Sequence, residues 1–192
     1  MEPARLLELL SVAEKLKCNT RHSDTSSGRR ESVAEHSYRI ALMAMLLEDE
    51  FKDTDINKVI KMCLIHDLGE AFTGDIPTFD KTDKDVEIED NAFNRWVESF
   101  PEYQKREFQS LLKEMNELKT KEAKLYKALD KTEAVIQHNE ADIVSWLPLE
   151  YDLQLTYGEK EVEFSPYMKS LKELNNKITL EKIEAERKGL SE

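Results

Sequence analysis

The sequence has 192 residues, which suits a single domain over residues 1–192 and is long enough to bury a sizeable core. It contains 28 lysines and arginines against 40 aspartates and glutamates, a formal net charge of −12. Proteins that bind DNA or RNA usually carry a basic face, because phosphate contacts supply most of that affinity, so this charge argues against a nucleic acid polymer as the main partner.

Features typical of membrane and secreted proteins are missing from the sequence. No segment approaches the roughly 20 apolar residues that a membrane helix needs. The first ten residues, MEPARLLELL, carry acidic residues where a secretory signal needs basic ones. Cys18 and Cys63 are the only cysteines, too few for a disulfide scaffold and typical of free thiols in a reducing compartment. We therefore expect a cytoplasmic protein with no membrane partner.

The composition and the spacing of apolar residues predict an all-α fold. Glycine and proline are scarce, with five of each, and no glycine-rich phosphate loop is present. The first helix is predicted over Pro3–Lys17. Its predicted inward stripe consists of Leu6, Leu7, Leu10, Ala13 and Leu16. The polar segment Asn19–Arg30 is predicted to be a loop, and no run of alternating β-branched residues predicts a strand.

The next two predicted helices carry histidines at inward positions. The second helix begins at Ser32, the first residue of the capping-box sequence SVAE, and His36 falls on its apolar stripe. The third helix is predicted from Asp55 to Gly69, with Asp67 on the face that holds its apolar residues. His66 directly precedes Asp67, so an imidazole and a carboxylate are adjacent inside an apolar helix.

The rest of the chain is also predicted to be helical, with turns between the helices. Residues 70–78 are turn-rich. The later helices are predicted over Asp83–Phe100, Pro101–Leu118, Lys121–Glu140 and Pro166–Lys188. Val86 is predicted to point inward from the first of these, and Asp130 from the third. The segment Pro148–Ser165 is predicted to be a loop, although Ile143–Leu155 has room for a short helix.

Two histidines and two aspartates on inward stripes point to one shared site. Burial of an ionised carboxylate is unfavourable unless the group is paired or binds a metal. His36, His66, Asp67 and Asp130 together favour a divalent cation, because two neutral imidazoles and two carboxylates balance its charge. Mixed nitrogen and oxygen ligands suit Mn, Fe, Co, Ni or Zn. Such an ion activates water and polarises a phosphoryl oxygen, which predicts hydrolysis.

Each of these residues has a simpler interpretation when it is taken alone. A single buried histidine such as His36 is more often a hydrogen-bonded core residue, and a His-Asp dipeptide occurs often by chance. Asp130 alone is interpreted as a helix carboxylate paired with a neighbouring lysine. His22 and His138 have no comparable context and are interpreted, on the residues alone, as surface or structural. The prediction of a metal site depends on the combination.

In combination these residues match a known family. The sequence resembles the HD-domain phosphohydrolases, in which a histidine, a His-Asp pair and a distant aspartate bind a divalent metal. The segments RESVAEHS at 30–37, IHDLGE at 65–70, TGDIPT at 73–78 and LD at 129–130 are similar to the 5′-deoxynucleotidase branch of that family. The resemblance extends from Leu6 to about His138, and the C-terminal third is less diagnostic.

The resemblance implies an HD-domain bundle of about six to eight helices, hydrolysis of nucleoside 5′-monophosphates, a preference for deoxyribose and a homodimer. It implies that the metal ligands are His36, His66, Asp67 and Asp130. Arg21, fifteen residues before His36, matches an arginine that holds the phosphate. Glu70 matches a carboxylate near the attacking water or the leaving oxygen, and Asp75 matches one that helps to position the sugar. The ion itself is left open among Mn, Co, Fe, Ni, Zn and Mg.

The sequence departs from the branch at one position. Members often carry a tryptophan directly after the phosphate arginine, where it is thought to help exclude a 2′-hydroxyl, and this sequence has His22. His22 is therefore a candidate substrate-binding residue that either stacks on a base or donates to phosphate. Deoxyribose selectivity is the part of the implied activity that this departure puts in question.

The mechanism expected from these residues is direct attack of activated water on the substrate phosphorus. Arg21 offsets charge on the phosphoryl oxygens, and Glu70 assists proton transfer as the nucleoside 5′-oxygen leaves. Two alternatives stay open. One is an HD phosphohydrolase acting on nucleoside triphosphates, cyclic nucleotides or guanosine alarmones. The other is a non-catalytic module that binds a metal or nucleotide and regulates a partner.

Overall fold

The computed structural model describes residues 1–189, in which helices surround a long central helix. The α-helices are α1 Pro3–Ala13, α2 Val33–Leu46, α3 Ile56–Ile65, α4 Glu70–Thr73, α5 Asp83–Val97, α6 Glu102–Glu117, α7 Lys121–Glu140, α8 Glu150–Thr156 and α9 Pro166–Arg187. A hairpin of β1 Thr20–Asp24 and β2 Arg30–Ser32 precedes α2. The prediction of an all-α bundle is confirmed, with a small hairpin added.

Helix α7 is the centre of the core. It packs against α2, α3, α6, α9 and strand β1, so residues on most of its circumference are buried. Its Leu125 and Leu129 are completely buried, as are Ile40 of α2 and Met62 of α3. The bounds of this helix agree with those predicted from the sequence. A polar side chain on α7 therefore lies inside the molecule, which is why the position of Asp130 matters.

Side-chain caps fix where the core helices begin. The Ser32 hydroxyl accepts from the backbone N–H of Glu35, and the Glu35 carboxylate accepts from the N–H of Ser32, so the predicted capping box is formed. Asp55 caps α3, and Thr120 caps α7. These caps satisfy N–H groups that would otherwise lack partners, and they set the register of the inward faces.

The prediction of a loop over Asn19–Arg30 is wrong. Strands β1 and β2 pair in antiparallel fashion, and the turn between them contains Gly28 at φ 78°. The strands lack alternating apolar residues because several of their side chains, including Arg21 and His22, face cavities instead of an apolar core. Hydrogen bonds between the two backbones, which depend little on side-chain type, stabilise the hairpin.

Two predicted inward faces are wrong in part, although Leu16 in the first and Phe93 and Val97 in the second are buried. On α1, Leu6, Leu7 and Leu10 are exposed, and the α-helix ends at Ala13 before a 3-10 turn over Glu14–Lys17. On α5, Val86 is exposed at the rim of a cavity. Apolar periodicity shows that a helix has an apolar side but not that a neighbouring element covers it.

The segment after α7 is more helical than predicted. The predicted loop at Pro148–Ser165 contains α8, and a 3-10 turn covers Ile143–Ser145, as the short-helix alternative allowed. Residues 66–69 form turns after α3, and residues 70–73 form the single turn α4. Over the described residues, no helix combines the length and apolar character that crossing a membrane requires.

Candidate active site

Four side chains from α2, α7 and the end of α3 converge inside the bundle. Nε2 of His36 lies 3.3 Å from Oδ1 of Asp130, and Nε2 of His66 lies 3.0 Å from Oδ2 of Asp67. The His66 Nε2 atom is also 3.9 Å from the same Asp130 oxygen. All four residues that the sequence suggested as metal ligands therefore face one point. His66 and Asp67 reach it because α3 ends at Ile65.

The other ring nitrogen of each histidine is held by a hydrogen bond. Nδ1 of His66 donates to the Cys63 carbonyl at 2.9 Å, and Nδ1 of His36 donates to Oε2 of Glu133 at 2.5 Å. A proton on each Nδ1 leaves the Nε2 lone pair free to bind a cation. Glu133 was not among the predicted site residues, although its place on the inward stripe one turn after Asp130 was a usable signal.

Two atoms at this point lack hydrogen-bond partners although they are buried. Among the described residues, Nε2 of His66 and Oδ2 of Asp67 form no hydrogen bond, although they lie 3.0 Å from each other. Buried polar atoms are rarely left in this state, and a bound cation satisfies both at once. Ligand atoms of His36, His66 and Asp67 lie within 4.8 Å of one another. The site residues thus fit a divalent metal ion.

The charges around the site favour the ionised form of the Asp67 and Asp130 carboxylates. Burial raises the pKa of Asp67, but His66, His36 and Arg21 outweigh burial and lower it below its ordinary value. Burial also raises the pKa of Asp130, and Lys127 more than reverses that effect. The ammonium of Lys127 donates to Oδ2 of Asp130 at 2.8 Å, so Oδ1 is the oxygen left for a cation.

A cavity of about 320 Å³ opens directly onto the four-residue cluster and is called here the catalytic cavity. Of the residues suggested by the sequence, it is lined by Arg21, His66, Asp67, Glu70, Asp75 and Asp130. His36 lies behind this lining and is completely buried. Lys81, Lys127 and Lys131 also line the cavity, where Lys81 pairs with Glu89 and Lys127 pairs with Asp130.

Arg21 reaches the cluster from strand β1. Its Nη1 lies 3.7 Å from Oδ2 of Asp67, and its Nε lies 3.3 Å from Oε2 of Glu31 on β2. Burial lowers the pKa of Arg21, but Asp67 and Glu31 more than compensate and raise it, so the guanidinium stays charged. A fixed cation of this planar shape at a cavity wall is suited to hold an oxyanion.

Glu70 and Asp75 follow the His-Asp pair around the cavity. Among the described residues, Oε2 of Glu70 is buried without a hydrogen-bond partner. Burial, together with Asp67 and Asp75, raises the pKa of Glu70 to about 10, so this carboxyl carries a proton at neutral pH. Burial raises the pKa of Asp75 as well, while Arg21 opposes that rise. Gly74, at φ 78°, allows the turn that brings Asp75 to the cavity.

His22 faces a second, smaller pocket of about 70 Å³. Its Nε2 lies 3.4 Å from Oε1 of the buried Glu150, and Nε2 of His138 lies 3.0 Å from the same oxygen. His138 is therefore a pocket residue and not a surface one. Arg21 and Asp75 line both the pocket and the catalytic cavity, so the two spaces adjoin.

Comparison with known families places this geometry in context. The family profile described as an HD domain matches residues 13–172. The chain belongs to the HD-domain family. The match includes all four residues of the buried cluster together with Arg21, Glu70 and Asp75.

Relatives in this family carry names that refer to nucleotide hydrolysis. A Dictyostelium discoideum protein named a 5′-deoxynucleotidase is 36% identical over 141 residues, which cover 68% of this chain and 74% of that protein. A Homo sapiens protein with the same name is 32% identical over 122 residues, which cover 62% of this chain and 59% of that protein. The chain therefore matches somewhat less than two thirds of the human relative.

A solved structure supports the same fold. It is described as a predicted metal-dependent phosphohydrolase from Magnetospirillum magnetotacticum and superimposes with a TM-score of 0.78 at 30% identity. The superposition covers 94% of this chain and 92% of that one. An HD-domain phosphohydrolase from Listeria innocua, at 20% identity and a TM-score of 0.69, shares the fold.

Proposed function

We propose that this protein is a metal-dependent phosphohydrolase that removes the 5′-phosphate from nucleoside and deoxynucleoside 5′-monophosphates. The observation that carries the proposal is the meeting of three groups at one cavity: the His36, His66, Asp67 and Asp130 cluster, the Arg21 guanidinium and the buried Glu70 carboxyl. The names of the relatives support the substrate class.

One divalent cation held by the four-residue cluster fits the donor set. Mn, Co, Fe, Ni, Zn and Mg are the candidate ions, and the mixed nitrogen and oxygen ligands favour a transition metal over Mg. When bound, such an ion polarises a phosphoryl oxygen and lowers the pKa of water. Glu133 holds the His36 ring in the orientation this needs, and Lys127 keeps one Asp130 oxygen occupied.

Arg21 binds the phosphate in this proposal. Its guanidinium lines the catalytic cavity within 4 Å of the Asp67 carboxylate, so a phosphate between Arg21 and an ion held by the cluster would have positive charge on two sides. Carboxylates line the cavity beside Lys81, Lys127 and Lys131, so Arg21 and the bound ion would supply the attraction for the phosphate. That attraction opposes the repulsion that a chain of net charge −12 exerts on an anionic substrate.

Glu70 supplies the proton that the leaving 5′-oxygen needs. Its unpartnered Oε2 and its place on the cavity wall give it access to the substrate. Water then attacks phosphorus, the bond from phosphorus to the 5′-oxygen breaks, and the Glu70 proton passes to that oxygen. The proton that the attacking water loses returns to the Glu70 carboxylate, so the carboxyl is restored when the nucleoside and phosphate leave. Asp75 lies at the junction of the two cavities, where the sugar of a bound nucleotide passes, and His22 lies next to it in the pocket.

We further propose that the chain forms a single HD domain over residues 1–192 and a homodimer in the cytoplasm. Support for the dimer comes from α2, where Tyr38, Met45 and Leu46 are between 58% and 74% exposed and form an uncovered apolar face. Free Cys18 and Cys63 support a reducing compartment. Mass measurement in solution tests the dimer, and a monomeric mass at micromolar concentration contradicts it.

The test of function is a substrate panel on chelated protein with each candidate ion restored singly. It includes all deoxynucleoside and ribonucleoside monophosphates, triphosphates, cyclic nucleotides and an alarmone. We expect metal-dependent phosphate release from the monophosphates. Release only from another class keeps the chemistry but changes the substrate. If no ion supports any release, the enzyme proposal fails and a regulatory binding module takes its place.

A further inference from the structure

The smaller pocket has the lining of a site for a flat, partly polar group. Phe79 and Leu153 provide apolar walls, and His22, Glu150 and Gln154 provide polar groups. The His22 ring meets Phe79 edge-on at a centroid distance of 5.4 Å. Small-molecule sites combine such apolar walls with a few fixed polar groups. None of these side chains takes part in the phosphate chemistry proposed above.

Most polar groups of this pocket are already paired within the protein. Glu150 accepts from the backbone N–H of Leu147 at 2.7 Å and lies 3.0 Å from Nε2 of His138. Nδ1 of His138 donates to the Ala134 carbonyl at 2.9 Å. Glu150 and His138 therefore connect α7 and α8 at one wall of the pocket and contact His22. Because their polar atoms are already paired, they are not free to bind a ligand.

Two polar side chains of the pocket are exceptions. Nε2 of His22 is buried and forms no hydrogen bond within residues 1–189. Gln154, which also lines the pocket, is only 3% exposed, and its side-chain amide forms no hydrogen bond within the same residues. Its backbone carbonyl accepts from the Lys172 ammonium at 2.8 Å, and the Asn176 amide donates to the Leu155 carbonyl at 3.0 Å. These two hydrogen bonds hold helix α8 against α9, so the backbone that carries the Gln154 side chain is fixed.

We propose that this pocket is the nucleobase subsite, that it takes single-ring bases, and that Gln154 determines this specificity, an inference that rests on the proposed function. A nucleotide with its phosphate at Arg21 extends past Asp75, where the catalytic cavity and the pocket adjoin. An amide carries a donor and an acceptor side by side, which matches the polar edge of a pyrimidine.

The size of the pocket favours single-ring pyrimidine bases over bicyclic purine bases. An apolar cavity of roughly 150 Å³ holds one benzene ring. The pocket encloses about 70 Å³ and shares Arg21 and Asp75 with the catalytic cavity, so a base enters it only in part, with the remainder of the ring in the mouth. A bicyclic purine leaves more of its surface outside this pocket than a single ring does. Pyrimidine nucleotides are therefore the better substrates.

The experiment measures kcat/KM for dCMP, dTMP, dAMP, dGMP and 2-deoxyribose 5-phosphate, which lacks a base. The variants are Gln154→Leu, which keeps the size and removes the amide, and Gln109→Leu on α6 as a control outside both cavities. For the wild type we expect a pyrimidine preference of about tenfold or more. Gln154→Leu lowers pyrimidine turnover about tenfold and leaves 2-deoxyribose 5-phosphate unchanged, while Gln109→Leu changes nothing.

Two results overturn the inference while the proposed function stands. One is equal kcat/KM for purine and pyrimidine nucleotides, and the other is an equal loss by Gln154→Leu on all substrates, with or without a base. If no nucleotide is hydrolysed, the proposed function fails, and calorimetric titration with deoxycytidine and thymidine judges the pocket instead. Binding by the wild type that is lost in Gln154→Leu supports the subsite, and absence of binding overturns it.

Discussion

The two sides of the active-site region are built differently. The metal side consists of α2, the end of α3 and α7, which pack against one another and bury His36 completely. The substrate side consists of the β1–β2 hairpin, residues 74–81 and α8, which are joined to the core through fewer contacts. One such contact is the Gln137 amide, which donates to the Asp24 carbonyl at 2.7 Å.

Because of this difference, we expect the metal side to govern the reaction itself and the substrate side to govern substrate selectivity. On the metal side His36 and Asp130 lie on regular helices, His66 and Asp67 lie in the turns directly after α3, and all four are held by packing, so a changed side chain has no room to find a substitute position. On the substrate side the functional groups lie on short or irregular segments, which accept substitutions without loss of the core. We therefore expect variants of the metal side to lose the reaction, and variants of the substrate side to change its efficiency and substrate range.

The largest effect is expected for Asp67→Ala. This change removes a proposed ligand whose Oδ2 is buried and forms no hydrogen bond within residues 1–189, so we expect both metal content and catalysis to depend on it. We expect stoichiometric metal to be lost and phosphate release to fall about 10⁴-fold or more, because the ion supplies several kcal/mol of transition-state stabilisation. Elemental analysis and the deoxynucleotide assay measure the two quantities. The exposed Asp49→Ala is the control, and full metal content in Asp67→Ala contradicts the ligand assignment.

A smaller but distinct effect is expected for Arg21→Ala. The variant removes the proposed phosphate-binding group on the substrate side and leaves the four-residue cluster in place. We expect kcat/KM to fall about 10²- to 10³-fold with metal content unchanged. Arg30→Ala on the neighbouring strand, where the side chain is half exposed and pairs with Asp24, is the matched control. Equal losses in the two variants would mean that the hairpin is merely destabilised.

The sequence predicts the residues of the metal side better than the structure of the substrate side. His36, Asp67 and Asp130 were found because helical spacing identifies inward positions, and an ionisable group at such a position is unusual. The sequence does not predict the hairpin, because its strands are held by backbone pairing and lack alternating apolar side chains. Glu150 was missed because the helix α8 that carries it is short and has little periodicity of its own.

The exposed faces show a second limit of sequence reasoning. Leu7 of α1 and Val86 of α5 fit apolar stripes yet are 69% and 45% exposed. Whether a stripe is covered depends on which element packs there, and that information lies in distant parts of the chain. The role of Glu133 has the same origin, because its contact with His36 joins α7 to the distant α2. The pairing of Lys127 with Asp130 is local to α7, and the sequence did indicate a lysine partner for Asp130.

A moderate effect is expected for Glu133→Gln on the metal side. The carboxylate orients His36 through Nδ1 and does not itself face the catalytic cavity, so it acts as a positioning residue. We expect metal affinity to fall about 10- to 100-fold and activity to return at higher metal concentration. Glu140→Gln is a close control, since both carboxylates contact Arg39 but only Glu133 contacts His36. Activity that metal cannot restore argues against this role.

The smallest effect concerns the support of α8 and is expected for Lys172→Met. The Lys172 ammonium is buried where it donates to the Gln154 carbonyl, and burial lowers the pKa of Lys172 to about 8 from an ordinary 10.5. Between these values the unfolded chain binds more protons than the folded one, so the free energy of unfolding of the wild type rises with pH. Lys172→Met lacks this contribution.

The pH dependence of the difference between the two proteins is therefore the informative quantity. From pH 7 to pH 9.5 we expect the free energy of unfolding of the wild type, relative to Lys172→Met, to rise by about 2 kcal/mol, as denaturant titrations at both pH values measure. Lys169→Met, at an exposed position of the same helix, is expected to show no such trend. If the difference stays constant, the ammonium is solvated in the folded state. In that case the attachment of α8 to α9 relies on packing, and a buried ammonium does not fix the backbone of Gln154.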